Sequence, residues 1–156
     1  MAINATLIIC DDIRIEITGK SIIIGMYTGN LSITEEPSVI TKLMFLFNVD
    51  IPLPYIPTVV TVEVTIPGVP VPLREEVKVP PPAAPIGPEH TRWIFRHAIG
   101  MQNITARSGK IVARVWVDDQ ELEISSALIV VGEPSLEESS TALPPPVAQS
   151  EIVDQK

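Results

Sequence analysis

Apolar and polar residues alternate with a period of two along much of the chain. Ile13, Ile15 and Ile17 alternate with Arg14, Glu16 and Thr18, and Val60, Val62, Val64 and Ile66 with Thr61, Glu63 and Thr65. Ile111, Ala113, Val115 and Val117 interleave with Val112, Arg114 and Trp116. Successive side chains of a strand point to opposite faces, so each run sends one set to a core and the other toward solvent. The runs are rich in Ile, Val and Thr, whose branched Cβ suits a pleated surface. This pattern predicts strands over 5–17 (bent near Asp11-Asp12), 21–27, 42–49, 58–66, 69–79, 92–99, 110–117 and 121–131.

The breaks between runs carry turn chemistry. Thr18-Gly19-Lys20, Pro67-Gly68 and Ser108-Gly109 supply glycines for turns, and Asp118-Asp119 is placed to close a tight hairpin. Sixteen prolines and eight glycines leave no room for long helices. About eight short strands at this spacing predict an all-β, antiparallel two-layer β-sandwich of Ig/C2-like kind, with an open barrel as the competing architecture. Pro70 and Pro72 deprive the 69–79 strand of ladder donors and assign it to a sheet edge. The proline cluster over 80–89 reads as a stiff crossover between sheets. Past Gly132 the chain turns to Glu, Ser, Pro and Ala. The expected organisation is therefore a sandwich domain over 1–132 and a disordered acidic tail over 133–156.

Composition narrows the function. The net charge is −8, and Glu133, Glu137, Glu138, Glu151 and Asp154 against Lys156 put half of it in the tail. Such a balance disfavours nucleic acid and anionic membrane as partners. Apolar residues make up 46% of the chain, yet no apolar run approaches the roughly 18 residues of a spanning helix. Met1-Ala2-Ile3-Asn4 lacks the basic residue of a secretory leader, so a cytoplasmic protein is expected, and the sequons at Asn4, Asn30 and Asn103 read as chance matches.

Candidate chemistry is sparse. Cys10 is alone and sits in an apolar run, as a small core residue would. Asp11 and Asp12 are candidate Ca²⁺ ligands, but such a site needs six to eight oxygens, and Asp118-Asp119 is the only other Asp-Asp pair. The competing reading is a bend whose carboxylates bond local backbone. Trp93, Phe95 and His97 share one strand face and form either a packed cluster or an aromatic platform for a glycan. With only seven aromatic residues in the chain, packing is favoured. Arg92, Arg96, Arg107 and Lys110 make one mildly basic neighbourhood suited to an acidic partner, the chain's own tail included. His90 and His97 have no zinc-spaced companions. No nucleophile elbow, phosphate loop or dinucleotide fingerprint occurs, so no enzymatic activity and no cofactor are expected.

The first thirty residues carry a distinctive string: Cys10-Asp11-Asp12-Ile13-Arg14-Ile15-Glu16, then Gly19-Lys20, then Ile24-Gly25-Met26-Tyr27. It resembles a bacterial family of domains of unknown function that opens with Cys-Asp-Asp-x-Arg-x-Glu, Gly-Lys and Ile-Gly-x-Tyr. The resemblance implies a bacterial or phage source and a small β-rich domain, and it brings no catalytic or binding residues. Read physically, the string is a hairpin turning at Gly19, with Arg14 and Glu16 close enough on one outward face to pair. The resulting expectation is a non-catalytic interaction or structural module, binding another protein or itself. Arg14, Glu16, Trp93, Arg96 and His97 are its candidate contacts, and Val59 and Val112 are apolar seeds for an oligomer. A sandwich binding Ca²⁺ or a glycan is the alternative, and an enzyme ranks last.

Overall fold

The Ile/Val-rich runs do form strands, and among the described residues nothing is helical. The computed structural model describes residues 2–18, 20–80, 87 and 89–132. Ten strands follow in order: Asn4–Cys10 (β1), Asp12–Ile15 (β2), Ser21–Ile24 (β3), Leu31–Ile33 (β4), Ser38–Pro52 (β5), Val59–Thr65 (β6), Leu73–Lys78 (β7), Arg92–Ala106 (β8), Gly109–Val117 (β9) and Gln120–Val131 (β10). They build a three-stranded sheet, β1-β5-β8, and a five-stranded sheet, β4-β10-β9-β6-β7, which face each other as the two layers of a sandwich. β2 and β3 form a separate two-stranded ribbon.

The core fills from alternate positions, as the period of two requires. Leu43, Phe45, Phe47, Val49 and Ile51 of β5 are completely buried and oppose Val60, Val62 and Val64 of β6 and Ile111, Ala113, Val115 and Val117 of β9. Burying one such side chain contributes roughly 1.5–3 kcal/mol. Farther along, the inward parity of β5 switches from odd positions to Ile40, and that of β8 from Phe95 and Ile99 to Ile104 and Ala106. The ladder between them lacks a Thr41–Asn103 pair at the same place, where Asn103 takes a left-handed φ of 51°. The inward parity of both long strands changes at this irregularity.

Two strands lie beyond the expected eight. The 5–17 run divides at Asp11, where a bend was expected, into β1 and β2. β4 is only three residues long, too short to show a period, and it pairs in parallel with Ile129, Val130 and Val131 of β10. Every other pairing is antiparallel. The 92–99 strand runs on to Ala106, and the 69–79 strand begins only at Leu73, beyond both prolines. Pro67 and Gly68, with φ of 88° at the glycine, turn the chain there; Val69 N–H closes the turn on Ile66 O at 3.0 Å. β7 lies at a sheet edge, as expected, although neither proline is within it. The expected turn at Gly19, most of the proline crossover and the 133–156 tail lie outside the described residues.

No helix among the described residues is long and apolar enough to cross a membrane.

Candidate interaction surface

The β2–β3 ribbon leaves the sandwich at Asp11, and the residues there explain how it is held. Asp11 and Asp12 both oppose Ile24: Asp11 N–H reaches the carbonyls of Ile24 and Gly25 at 3.0 and 3.3 Å, while Asp12 pairs with Ile24 in the ladder. Two residues against one make a bulge, which bends the strand and sharpens its twist. Gly25 completes the bend with φ of 63°. A Cβ at this glycine would stand 1.9 Å from the Asp11 carboxylate, so a side chain has no room.

The two aspartates are occupied by protein donors. Tyr27 donates its hydroxyl to Asp11 Oδ1 at 2.5 Å, and its N–H to Ile9 O at 2.9 Å. Burial, followed by the bond to Asp11, pushes the Tyr27 hydroxyl up to about 12. Asp12 accepts from the Lys42 ammonium of β5 and, at 3.0 Å, from Arg14 Nε. The Lys42 bond, then that of Arg14, holds the Asp12 carboxyl down at about 2. Cys10, wholly buried beside them, has its thiol raised by burial and by the neighbouring carboxylates.

Asp118 and Asp119 do not join this cluster. They form the β9–β10 turn, where Asp118 takes φ of 49° and binds the 55–59 segment instead. No three His, Cys, Asp or Glu side chains converge on a cation-sized space among the described residues. The expected bend at Asp11-Asp12 is present, but its carboxylates bond the Tyr27, Lys42 and Arg14 side chains rather than local backbone.

Beyond this base the ribbon is unlike any other strand pair. Its alternation predicted that Ile13, Ile15 and Ile17 face a core. The structure corrects that: Ile15 is 77% exposed and Ile17 fully so. Ile22, Ile24 and Met26 are exposed as well. Five of the eleven large apolar side chains exposed among the described residues thus lie between 15 and 26, and the rest are scattered. The reason is topological: among the described residues β2 and β3 pair only with each other and belong to neither layer of the sandwich.

Arg14 and Glu16 share a face, as expected, but are not paired with each other. Arg14 turns back to Asp12, and Glu16 accepts from the Thr18 hydroxyl at 3.1 Å.

The other candidate contacts are held in the sandwich. Phe95 is buried, with Trp93 and His97 half-buried on either side at centroid distances of 6.2 and 6.0 Å. His97 Nε2 lies 3.2 Å from Glu75 Oε2 of β7, a contact linking edge strands of the two sheets, though not aligned as a hydrogen bond. Sequence reasoning missed this contact because 22 residues and both sheets separate the partners. Arg96 donates to Asn48 Oδ1 at 2.9 Å, and Arg92 to Asp50 Oδ1 at 2.5 Å. Arg107 stands eleven positions beyond Arg96, on the order of 35 Å along an extended strand, so the four basic residues form no single patch. Val59 and Val112 are half-buried and offer no apolar seed.

The chain matches no protein-family model, no curated protein and no solved structure.

Proposed function

We propose that the chain is a non-catalytic β-sandwich module whose β2–β3 ribbon engages protein. One observation carries the reading: Ile15 on one face of the ribbon and Ile22 and Ile24 on the other stand in solvent, on an element whose base is fixed by hydrogen bonds. Concentrated exposed apolar surface on an otherwise well-packed domain marks contact sites. The Asp11–Tyr27 and Asp12–Lys42 bonds hold the ribbon in place before any partner arrives, which lowers the ordering cost of binding. A net charge of −8 favours a protein partner over nucleic acid or an anionic membrane. With this reading go a bacterial or phage origin, on the resemblance of the first thirty residues, and a cytoplasmic setting.

The test compares full-length wild type and Ile15→Asp as baits for proteins of a bacterial lysate. Wild type should retain partners that Ile15→Asp releases, while both show the same β-sheet circular dichroism. Equal retention by the two, together with the same self-association in sedimentation, would remove the ribbon from the interface.

A further inference from the structure

We infer that the occupant of the ribbon is a second copy of this chain, joined edge to edge through β2 in an antiparallel, two-fold arrangement centred on Ile15. This rests on the ribbon being the contact surface and names its partner.

The backbone shows which groups are free. Glu16 N–H bonds to Lys20 O at 2.8 Å, so Glu16, and with it Arg14 and Asp12, spends its backbone polar groups on β3. Ile13 and Ile15 consequently direct theirs to the other edge of β2. On that side β5 has ended its pairing at Cys10–Met44, and among the described residues β2 pairs with β3 alone. An open strand edge is a template for another strand.

Charge then selects the partner and the register. About a two-fold axis at Ile15, Ile15 meets Ile15 of the second copy and exchanges both backbone bonds with it. Arg14 meets Glu16, and Glu16 meets Arg14. Opposite charges thus face each other twice, at the closely spaced positions of the ladder where side chains interact most. Centring on Arg14 instead would oppose Arg14 to itself and Asp12 to Glu16. Centring on Glu16 would oppose Glu16 to itself. Centring on Ile13 would also oppose Asp12 to Arg14 twice, but Asp12 is already bonded to Lys42 of β5 and that register runs back into Cys10, which is completely buried. Only the Ile15 register satisfies both the exposed edge and the alternating charges, and it brings Ile17 of each copy beside Ile13 of the other. Arg14 has guanidinium donors left for Glu16 after its single bond to Asp12.

Sedimentation equilibrium of the full chain tests this. Wild type, 17.0 kDa per chain, should approach twice that mass as concentration rises. Arg14→Glu and Glu16→Arg should each weaken dimerisation by about tenfold or more, because like charges then face each other twice. Mixing the two variants, or combining them in one chain, should restore it. Ile15→Pro removes an N–H that the ribbon itself does not use, and should leave a folded monomer. A wild type that stays monomeric, or a dimer indifferent to the charge swaps, overturns the inference. If wild type is monomeric but still retains lysate proteins that Ile15→Asp releases, self-pairing falls and the module reading stands. If that retention is absent too, both fall.

Discussion

The carboxylate of Asp118 accepts both the backbone N–H and the hydroxyl of Thr58, at 2.9 and 2.8 Å, across sixty residues of sequence. The same Oδ1 takes Val59 N–H at 3.0 Å, and Oδ2 takes the Tyr55 hydroxyl at 2.5 Å. One turn aspartate thereby ties the β9–β10 hairpin to the segment entering β6. Asp118→Ala strands those donors near the surface and should cost about 1–2 kcal/mol in urea unfolding, whereas Asp119→Ala should be close to neutral. The acid side follows from the same bonds. They depress the Asp118 carboxyl from 3.8 to about 2, the Tyr55 bond acting most. The clasp is therefore fully present above 3.8 and is lost as pH falls through about 2, a modest loss because the group is exposed.

Both tyrosines of the chain should ionise late. Tyr55 is raised to about 12, mainly by its bond to Asp118, and Tyr27 to about 12, mainly by burial. A phenol whose folded value exceeds its unfolded value of 10 contributes stability that is full below 10 and vanishes as pH rises through about 12. Ultraviolet titration of the phenolates should show almost no ionisation at pH 10.5. In Asp118→Ala, half of the signal should move down toward 10 and half should stay.

Gly25→Ala should loosen the ribbon while sparing the sandwich. A methyl at this position meets the Asp11 carboxylate, which the Tyr27 hydroxyl holds in place, and φ of 63° already disfavours any side chain. The expected cost is about 1–3 kcal/mol, confined to the ribbon's base. Amide hydrogen exchange should quicken at Asp11 and Tyr27 and stay slow through β5, β6 and β9.

The local rules of the sequence located most strands well, because period two, branched residues and turn glycines act within a few neighbours. The edge position of β7 was expected from Pro70 and Pro72, yet both precede its first residue, Leu73, so neither takes a donor from its ladder. What could not be read depends on distant partners. β4 exists because Leu31–Ile33 finds β10, nearly a hundred residues away, and His97 meets Glu75 only through the stacking of two sheets. At the proposed surface, the hairpin and the shared face of Arg14 and Glu16 were readable, but their partners Asp12 and Thr18 were not. Alternation states that one face of a strand is apolar, and not whether a second layer exists to cover it.

That distinction has a thermodynamic signature. Phe47 and Ile15 both occupy apolar positions of strands, yet Phe47 is completely buried between the sheets and Ile15 is 77% exposed. Phe47→Ala removes a ring from the packed interior and leaves a cavity, so it should cost about 3–5 kcal/mol. Ile15→Ala removes little that the monomer buries, and its unfolding free energy should change by less than about 0.5 kcal/mol in dilute solution. Measuring both variants in urea at low micromolar concentration separates packing from contact surface. A loss above about 2 kcal/mol for Ile15→Ala would mean that the isoleucine is covered within one chain, and the ribbon would then be part of the core rather than a surface offered to a partner.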